Sequence, residues 1–158
     1  MNSFHTNNYL LVNLYKKNSS KSEVVTQMIY GESFTIINKS SKWIKIRIKE
    51  DGYIGYVKNK KFISYLKPTH KVSVISANIY KNSNLKKKIG KLAYTSKIKV
   101  EKKIAKFAKF QNKWIEIKNI KPIKYKDKNI FKDIKLFKGI KYKWGGKTFN
   151  GIDCSALI

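Results

Sequence analysis

Trp43-Ile44-Lys45-Ile46-Arg47-Ile48-Lys49, then Glu50-Asp51-Gly52, then Tyr53-Ile54-Gly55-Tyr56-Val57, set the class of the fold. The first run alternates large apolar with basic residues, the period of a strand with one face in a core and the other in water. The last run is short and rich in β-favouring residues, and Asp51-Gly52 between the two is a hairpin signal. Upstream, Phe34-Thr35-Ile36-Ile37 is another short β-rich run bounded by turn residues. Short strands at close spacing predict a small barrel or sandwich.

The pattern recurs along the chain. Leu14-Tyr15-Lys16-Lys17-Asn18 returns as Ile79-Tyr80-Lys81-Asn82-Ser83, and Lys42-Trp43-Ile44-Lys45-Ile46 returns as Lys113-Trp114-Ile115-Glu116-Ile117. A repeat of this length is the mark of a duplicated unit; the alternative is coincidence in a chain rich in lysine and isoleucine. Leu66-Lys67-Pro68-Thr69 lies between the copies. The expected organisation is a first unit over 6–67, a second over 68–124, and a segment of different pattern over 125–158. In that segment Ile130, Phe131, Ile134 and Phe137 fall at helical spacing, with Asp127 placed to cap the helix and Gly139 to end it. Such a helix has little core to bury against. Residues before about Lys124 are expected to fold without it, and the segment itself to be mobile.

Cys154 is the only cysteine. A lone thiol is either a packed structural group or a reactive one. Three glycines, Gly145, Gly146 and Gly151, deliver it to the start of an apolar run, and Asp153 can cap a helix beginning there. A thiol at a helix N-terminus is biased toward the thiolate, the attacking species in acyl transfer.

The string Tyr142-x-Trp144-Gly145-Gly146, followed by Gly151-Ile152-Asp153-Cys154-Ser155-x-Leu157, resembles the nucleophile motif of the NlpC/P60 family of papain-like cysteine peptidases. In that family a glycine follows the Cys-Ser pair; Ala156 stands there instead, a small helix-favouring replacement. The first unit, with Gln27-Met28-Ile29-Tyr30-Gly31-Glu32 and the Asp51–Val57 run, resembles the bacterial SH3-like domains that precede such peptidase domains. The second unit lacks the Gly-Tyr-x-Gly-Tyr run and resembles the divergent second SH3-like domain of three-domain members.

The resemblance implies a mainly β chain: two small SH3-like β-barrels followed by the N-terminal fragment, helix and nucleophile segment, of a papain-like α+β domain. It implies cleavage of the γ-D-Glu–diamino acid bond of bacterial cell-wall peptides, in peptidoglycan recycling, with Cys154 as nucleophile. It further implies that Tyr142, Asp153 and Ser155 line the pocket for the substrate's amino end, and that Glu32 and Tyr53 from the first barrel help close it. The ligand would be a murein peptide with a free N-terminal L-Ala, its ammonium facing carboxylates. By the residues alone, Glu32 can equally be a solvated turn charge and Tyr53 a barrel-core aromatic.

The family also needs a histidine base and a further polar residue downstream of the cysteine. The sequence stops at Ile158, and both histidines lie upstream: His5, expected in a frayed N-terminus, and His70, after a Pro-Thr linker. The chain is therefore expected to be the front part of a longer enzyme and inactive by itself.

Composition sets the remaining bounds. No motif calls for a cofactor or a metal. No stretch approaches the roughly 20 apolar residues of a membrane span, so no membrane partner is expected. Met1 to Tyr9 shows no basic segment leading into a long apolar core; the chain reads as cytoplasmic, or periplasmic or extracellular if its true start lies upstream. The formal net charge of +27 invites a polyanion. Yet Arg47 is the only arginine, and Lys, Asn and Ile together suggest an AT-rich coding bias. Sequence-reading contacts to bases favour arginine, so no specific nucleic acid is expected. The oligomeric state is left open. The alternative function is an SH3-like binding module that holds an anionic wall polymer or nucleic acid on its lysines, with Cys154 incidental.

Overall fold

The structure is a computed structural model that describes residues 3–84, 87–126 and 129–156. Strands β1 (Phe4–Thr6), β2 (Leu11–Tyr15), β3 (Val24–Ile29), β4 (Ser33–Lys39), β5 (Trp43–Ile48), β6 (Ile54–Lys58) and β7 (Ile63–Ser64) form one antiparallel sheet, in the order β3-β2-β6-β5-β4-β1-β7. The Trp43–Lys49 alternation is the core pattern. Ile44, Ile46 and Ile48 of β5 are buried, and pack with Leu14, Phe34 and Val57. Each buried isoleucine of this kind contributes roughly 1.5–3 kcal/mol, so β5 is the spine of the first unit. The Asp51-Gly52 turn joins β5 to β6, with the Ile48 amide donating to the Tyr53 carbonyl at 2.9 Å.

The second unit comprises β8 (His70–Val72), β9 (Ser76–Tyr80), β10 (Lys88–Ala93), β11 (Lys97–Ile98), β12 (Lys102–Ile104), β13 (Phe107–Phe110), β14 (Lys113–Glu116) and β15 (Ile120–Pro122). They make a five-stranded sheet, β10-β9-β14-β13-β12, and a three-stranded one, β11-β8-β15, over a core that includes Val72, Ile79, Leu92, Phe110 and Ile115. The repeated motifs take matching places. Leu14 and Ile79 are buried on β2 and β9, and Ile44 and Ile115 on β5 and β14. Tyr15 meets Trp43 edge-on at 5.6 Å, while Tyr80 stands directly opposite Trp114. In the second unit β14 pairs with β9 itself; among the described residues no counterpart of β6 lies between them, in keeping with the absent Gly-Tyr-x-Gly-Tyr run.

The sheets differ from the expected barrels in being open, since none closes on itself. The edge strand β3 is covered instead by the C-terminal segment, which carries helix α1 (Ile130–Lys135) and the two-stranded hairpin β16 (Lys147–Thr148) and β17 (Gly151–Ile152). Gly145 makes that approach possible: its φ is +67°, and a Cβ there would lie 2.9 Å from the Val24 carbonyl oxygen of β3. Residues 144–152 are thus tied down, against the expected mobility. Helix α1 does lack a core, with Phe131 67 % exposed. Its cap is Asn129, whose Oδ1 accepts the Phe131 amide at 3.0 Å; Asp127, the expected cap, lies outside the described residues. His5 sits in β1 with its ring stacked 5.6 Å from Phe34, not in a frayed end. One short helix and one hairpin do not by themselves define a papain-like domain. Among the described residues no helix is long and apolar enough to cross a membrane.

The turn between β3 and β4 joins the two units. Tyr30 leaves the first sheet and is buried in the second core, edge-on to Phe110 at 5.8 Å. The Lys97 amide donates to the Tyr30 carbonyl at 3.0 Å. Gly31, at φ +84°, lets this happen: a Cβ would lie 1.9 Å from the Lys97 carbonyl oxygen. Gly31→Ala adds a strained backbone to a clash with another backbone, so it is expected to cost about 2–4 kcal/mol. Urea unfolding measures this; a loss below about 0.5 kcal/mol would show that the two units are not in contact there.

Candidate active site

Asn7 and Glu32 shape the same β3–β4 turn from within. Asn7 is fully buried, and its Nδ2 donates to the Met28 and Ile29 carbonyls at 3.1 and 2.9 Å. Glu32 Oε2 accepts the Ile29 amide at 2.7 Å. Glu32 is only 7 % exposed, which rules out a solvated turn charge. Its other oxygen, Oε1, is 3.2 Å from the Lys147 ammonium, and the Asp51 carboxylate grips the same ammonium from the β5–β6 turn.

This ion cluster lines a cleft of about 650 Å³. The first unit supplies Glu32, Glu50 and Asp51; the second supplies Tyr94 and Thr95; the C-terminal segment supplies Asp133, Ile134, Phe137, Lys147 and Ser155. The chain has only nine acidic residues against a net charge of +27, and four of them line this cleft. Glu50 is already committed, accepting Lys97 Nζ at 2.6 Å and the Ser33 amide at 3.1 Å. Phe137 closes one wall edge-on to Tyr94 at 5.5 Å. The cleft therefore combines an apolar wall with a carboxylate side, suited to a short ligand carrying both apolar and cationic parts.

The Lys147 backbone is anchored as firmly as its side chain. Its amide donates to Gln27 Oε1 at 3.1 Å, and Gln27 Nε2 donates to Asn13 Oδ1 at 3.0 Å. Next to it the Trp144 indole donates to Glu23 Oε1 at 3.0 Å. These bonds hold the hairpin against β3, and the hairpin presents the cysteine turn.

Cys154 is exposed, which excludes the buried structural thiol. Asp153 organises the turn: its Oδ1 accepts Ser155 Oγ at 2.8 Å and the Ala156 amide at 2.9 Å. The second bond is the pattern of a helix cap; the residues any helix would continue into, Leu157 and Ile158, lie outside the described ones. The Tyr53 hydroxyl stands 3.5 Å from Ser155 Oγ, at the outer limit of a hydrogen bond, so Tyr53 is a rim residue rather than a core aromatic. Of the expected pocket residues, Glu32 and Ser155 line the cleft, and Tyr53 and Asp153 reach it through their contacts with Ser155. Tyr142 is not part of this group; it bridges to Ile152 and is 66 % exposed.

Lys147 and Asp51 are the residues the sequence reading passes over. A lysine among 36 basic residues carries no mark. Asp51 reads as a turn former, although its side chain holds both the Tyr53 amide, at 3.0 Å, and the lysine. Among the described residues no group of three metal-binding side chains is arranged to hold a metal. No histidine lines the cleft among them either: His70 Nδ1 lies 2.9 Å from Thr69 Oγ1, and His5 is in the first sheet.

Burial pushes the Glu32 carboxyl up to about 7, outweighing the opposing pull of Lys147. Burial would likewise lower Lys147, but Glu32 and Asp51 together overcome it and hold the ammonium above its ordinary value. The two directions look opposed for one pair. Asp51 reconciles them: it is more exposed than Glu32, so it keeps Lys147 charged whether or not Glu32 carries its proton.

The comparisons with known proteins agree with this architecture. Residues 14–62 match the family model described as the bacterial dipeptidyl-peptidase SH3 domain. The whole fold is similar to that of an NlpC/P60 family protein from Bacillus cereus ATCC 10987, with a TM-score of 0.79 at 17 % identity, covering 98 % of this chain and 70 % of that one. NlpC2 and NlpC1 from Trichomonas vaginalis align at a TM-score of 0.35 and 16 % identity, covering 99 % of this chain and 64 % and 61 % of theirs, too distant to bear on the fold. No curated protein matches this chain.

A carboxyl whose folded pKa lies above its unfolded one stabilises the fold when protonated. That contribution is present at low pH and is lost as pH rises from about 4.5, the ordinary value, to about 7. Measured against Glu32→Gln, the wild type is expected to lose stability across that window and to show no further relative change above it. Thermal unfolding at several pH values tests this; a relative gain with rising pH would reverse the assignment.

Proposed function

We propose that this chain serves a cysteine peptidase of the NlpC/P60 type that acts on bacterial cell-wall peptides at the γ-D-Glu–diamino acid bond, as in peptidoglycan recycling. One observation carries the reading: Cys154 is exposed on an Asp153-held turn whose next residues line a carboxylate-sided cleft. The fold shared with an NlpC/P60 protein supports it. In this reading Cys154 Sγ adds to the scissile carbonyl carbon, the diamino acid leaves as the amine, and water then cleaves the thioester. The peptide enters with its L-Ala end toward Glu32 and Tyr53, while Asp153 and Ser155 position the turn and Tyr142 flanks it.

Among the described residues no histidine stands in the cleft to serve as base. Assayed alone, the 158-residue chain is expected to release no diamino acid above background, since losing a catalytic partner costs on the order of 10⁴-fold or more. Binding is testable without turnover. Saturating L-Ala-γ-D-Glu-diamino acid tripeptide should slow alkylation of Cys154 by iodoacetamide, read by mass spectrometry, and the α-linked isomer should not. Equal alkylation rates with and without tripeptide would remove the peptide reading.

A second reading has its own observation. With four acids gathered in the cleft, the rest of the +27 surface is strongly basic and suits an anionic polymer. Retention on such a polymer that collapses between 50 and 200 mM salt, together with no Cys154 protection, would favour it.

A further inference from the structure

Glu32 has one carboxylate oxygen available to the cleft, and the protein already fills it. Oε2 is spent on the Ile29 amide of its own turn, and Oε1 faces the Lys147 ammonium at 3.2 Å. Asp51, the neighbouring carboxylate, grips that same ammonium. The Lys147 side chain is itself largely buried, at 13 % exposure, and lines the same cleft as the two acids.

We propose that Lys147 is an intramolecular competitor for the amino end of an incoming peptide, and so sets how strongly the cleft prefers a free amine to a blocked one. The inference rests on the peptide reading above. A ligand ammonium can pair with Glu32 and Asp51 only by exchanging with an ammonium already there. The net gain is then the difference between two like ion pairs, less the work of moving a packed lysine into water. An N-acylated peptide asks for no exchange and forgoes no pairing. The wild-type cleft therefore discriminates weakly between the two; without the Lys147 charge, Glu32 and Asp51 are left to the ligand, whose ammonium then supplies the pull on the buried Glu32 carboxyl that Lys147 supplied. The other charges facing the cleft do not substitute for it. Glu50 is engaged by Lys97 and the Ser33 amide, and Asp133 enters the cleft from α1, a different element from the turns that supply Glu32 and Asp51.

Lys147→Met keeps the backbone amide that donates to Gln27 Oε1, and it leaves no buried unpaired ammonium to drive the hairpin into water. It also keeps the stem, and Asp51 is exposed enough to stay hydrated when unpaired. Isothermal titration of L-Ala-γ-D-Glu, free and N-acetylated, between pH 7 and 8 reads the effect. The wild type should bind the two within about threefold of each other, and Lys147→Met should bind the free dipeptide about tenfold more tightly with the acetylated one unchanged. Lys147→Met combined with Glu32→Gln should lose most of that gain.

A wild type that already prefers the free amine by tenfold or more overturns the inference, and this arm stands even if Lys147→Met fails to fold. So does a loss of affinity for both peptides in a folded Lys147→Met, which would make the lysine a builder of the cleft and not a competitor in it. Binding of neither peptide to any folded variant removes the peptide reading, and the inference falls with it; binding with unchanged preference leaves the peptide reading standing and sinks the inference alone.

Discussion

A lysine ammonium held between two carboxylates governs this molecule's candidate site. Lys147 brings a positive charge from the C-terminal hairpin into the first unit, where Glu32 and Asp51 receive it. A buried cation without partners would cost several kcal/mol, so docking of the hairpin depends on the acidic side chains that receive Lys147, Asp51 above all when Glu32 is protonated. Both acids come from turns of the first sheet, at the ends of β3 and β5. The cysteine turn is consequently positioned by a unit more than a hundred residues earlier in the chain. A thiol placed this way is only as well aimed as that sheet is rigid.

The rigidity comes from neighbouring groups. Asn7, fully buried, bonds the carbonyls that shape the β3–β4 turn, and Tyr30 in the same turn is packed into the second unit's core. One four-residue turn, Ile29 to Glu32, thus points an aromatic ring into the next unit and a carboxylate into the cleft. Disturbing either side of it disturbs both. This explains why a small first domain can shape a pocket: its cleft-facing side chains are fixed by backbone bonds, not left on a free loop.

Much of this architecture was legible in the sequence, for physical reasons that differ from element to element. The alternation in Trp43–Lys49 reports a one-sided strand directly, and Ile44, Ile46 and Ile48 are buried as it requires. The tyrosine and tryptophan of each repeat meet across strands, Tyr15 with Trp43 and Tyr80 opposite Trp114. Only the resemblance singles out Glu32 and Tyr53, as composition gives no sign that a glutamate is buried. Lys147 was invisible, since nothing in a lysine-rich chain marks the one ammonium that finds two carboxylates. The helix cap is Asn129, two residues past the expected Asp127, because asparagine and aspartate are chemically alike as caps. Sheet closure could not be read at all, because it depends on which edges another segment covers. Here that segment is the C-terminal hairpin, admitted by Gly145.

Hydrogen exchange at the backbone amides of Lys147, Ile152 and Asp153 tests the central claim most directly. These amides donate to Gln27 Oε1, the Lys141 carbonyl and the Gly146 carbonyl at 3.1, 3.2 and 3.1 Å. If the ion cluster holds the cysteine segment on the first sheet, all three are protected in the wild type. In Glu32→Gln combined with Asp51→Asn, the orphaned ammonium should leave for water and the three amides should exchange freely, while β4 and β5 stay protected. Protection that is the same in both proteins would contradict the account.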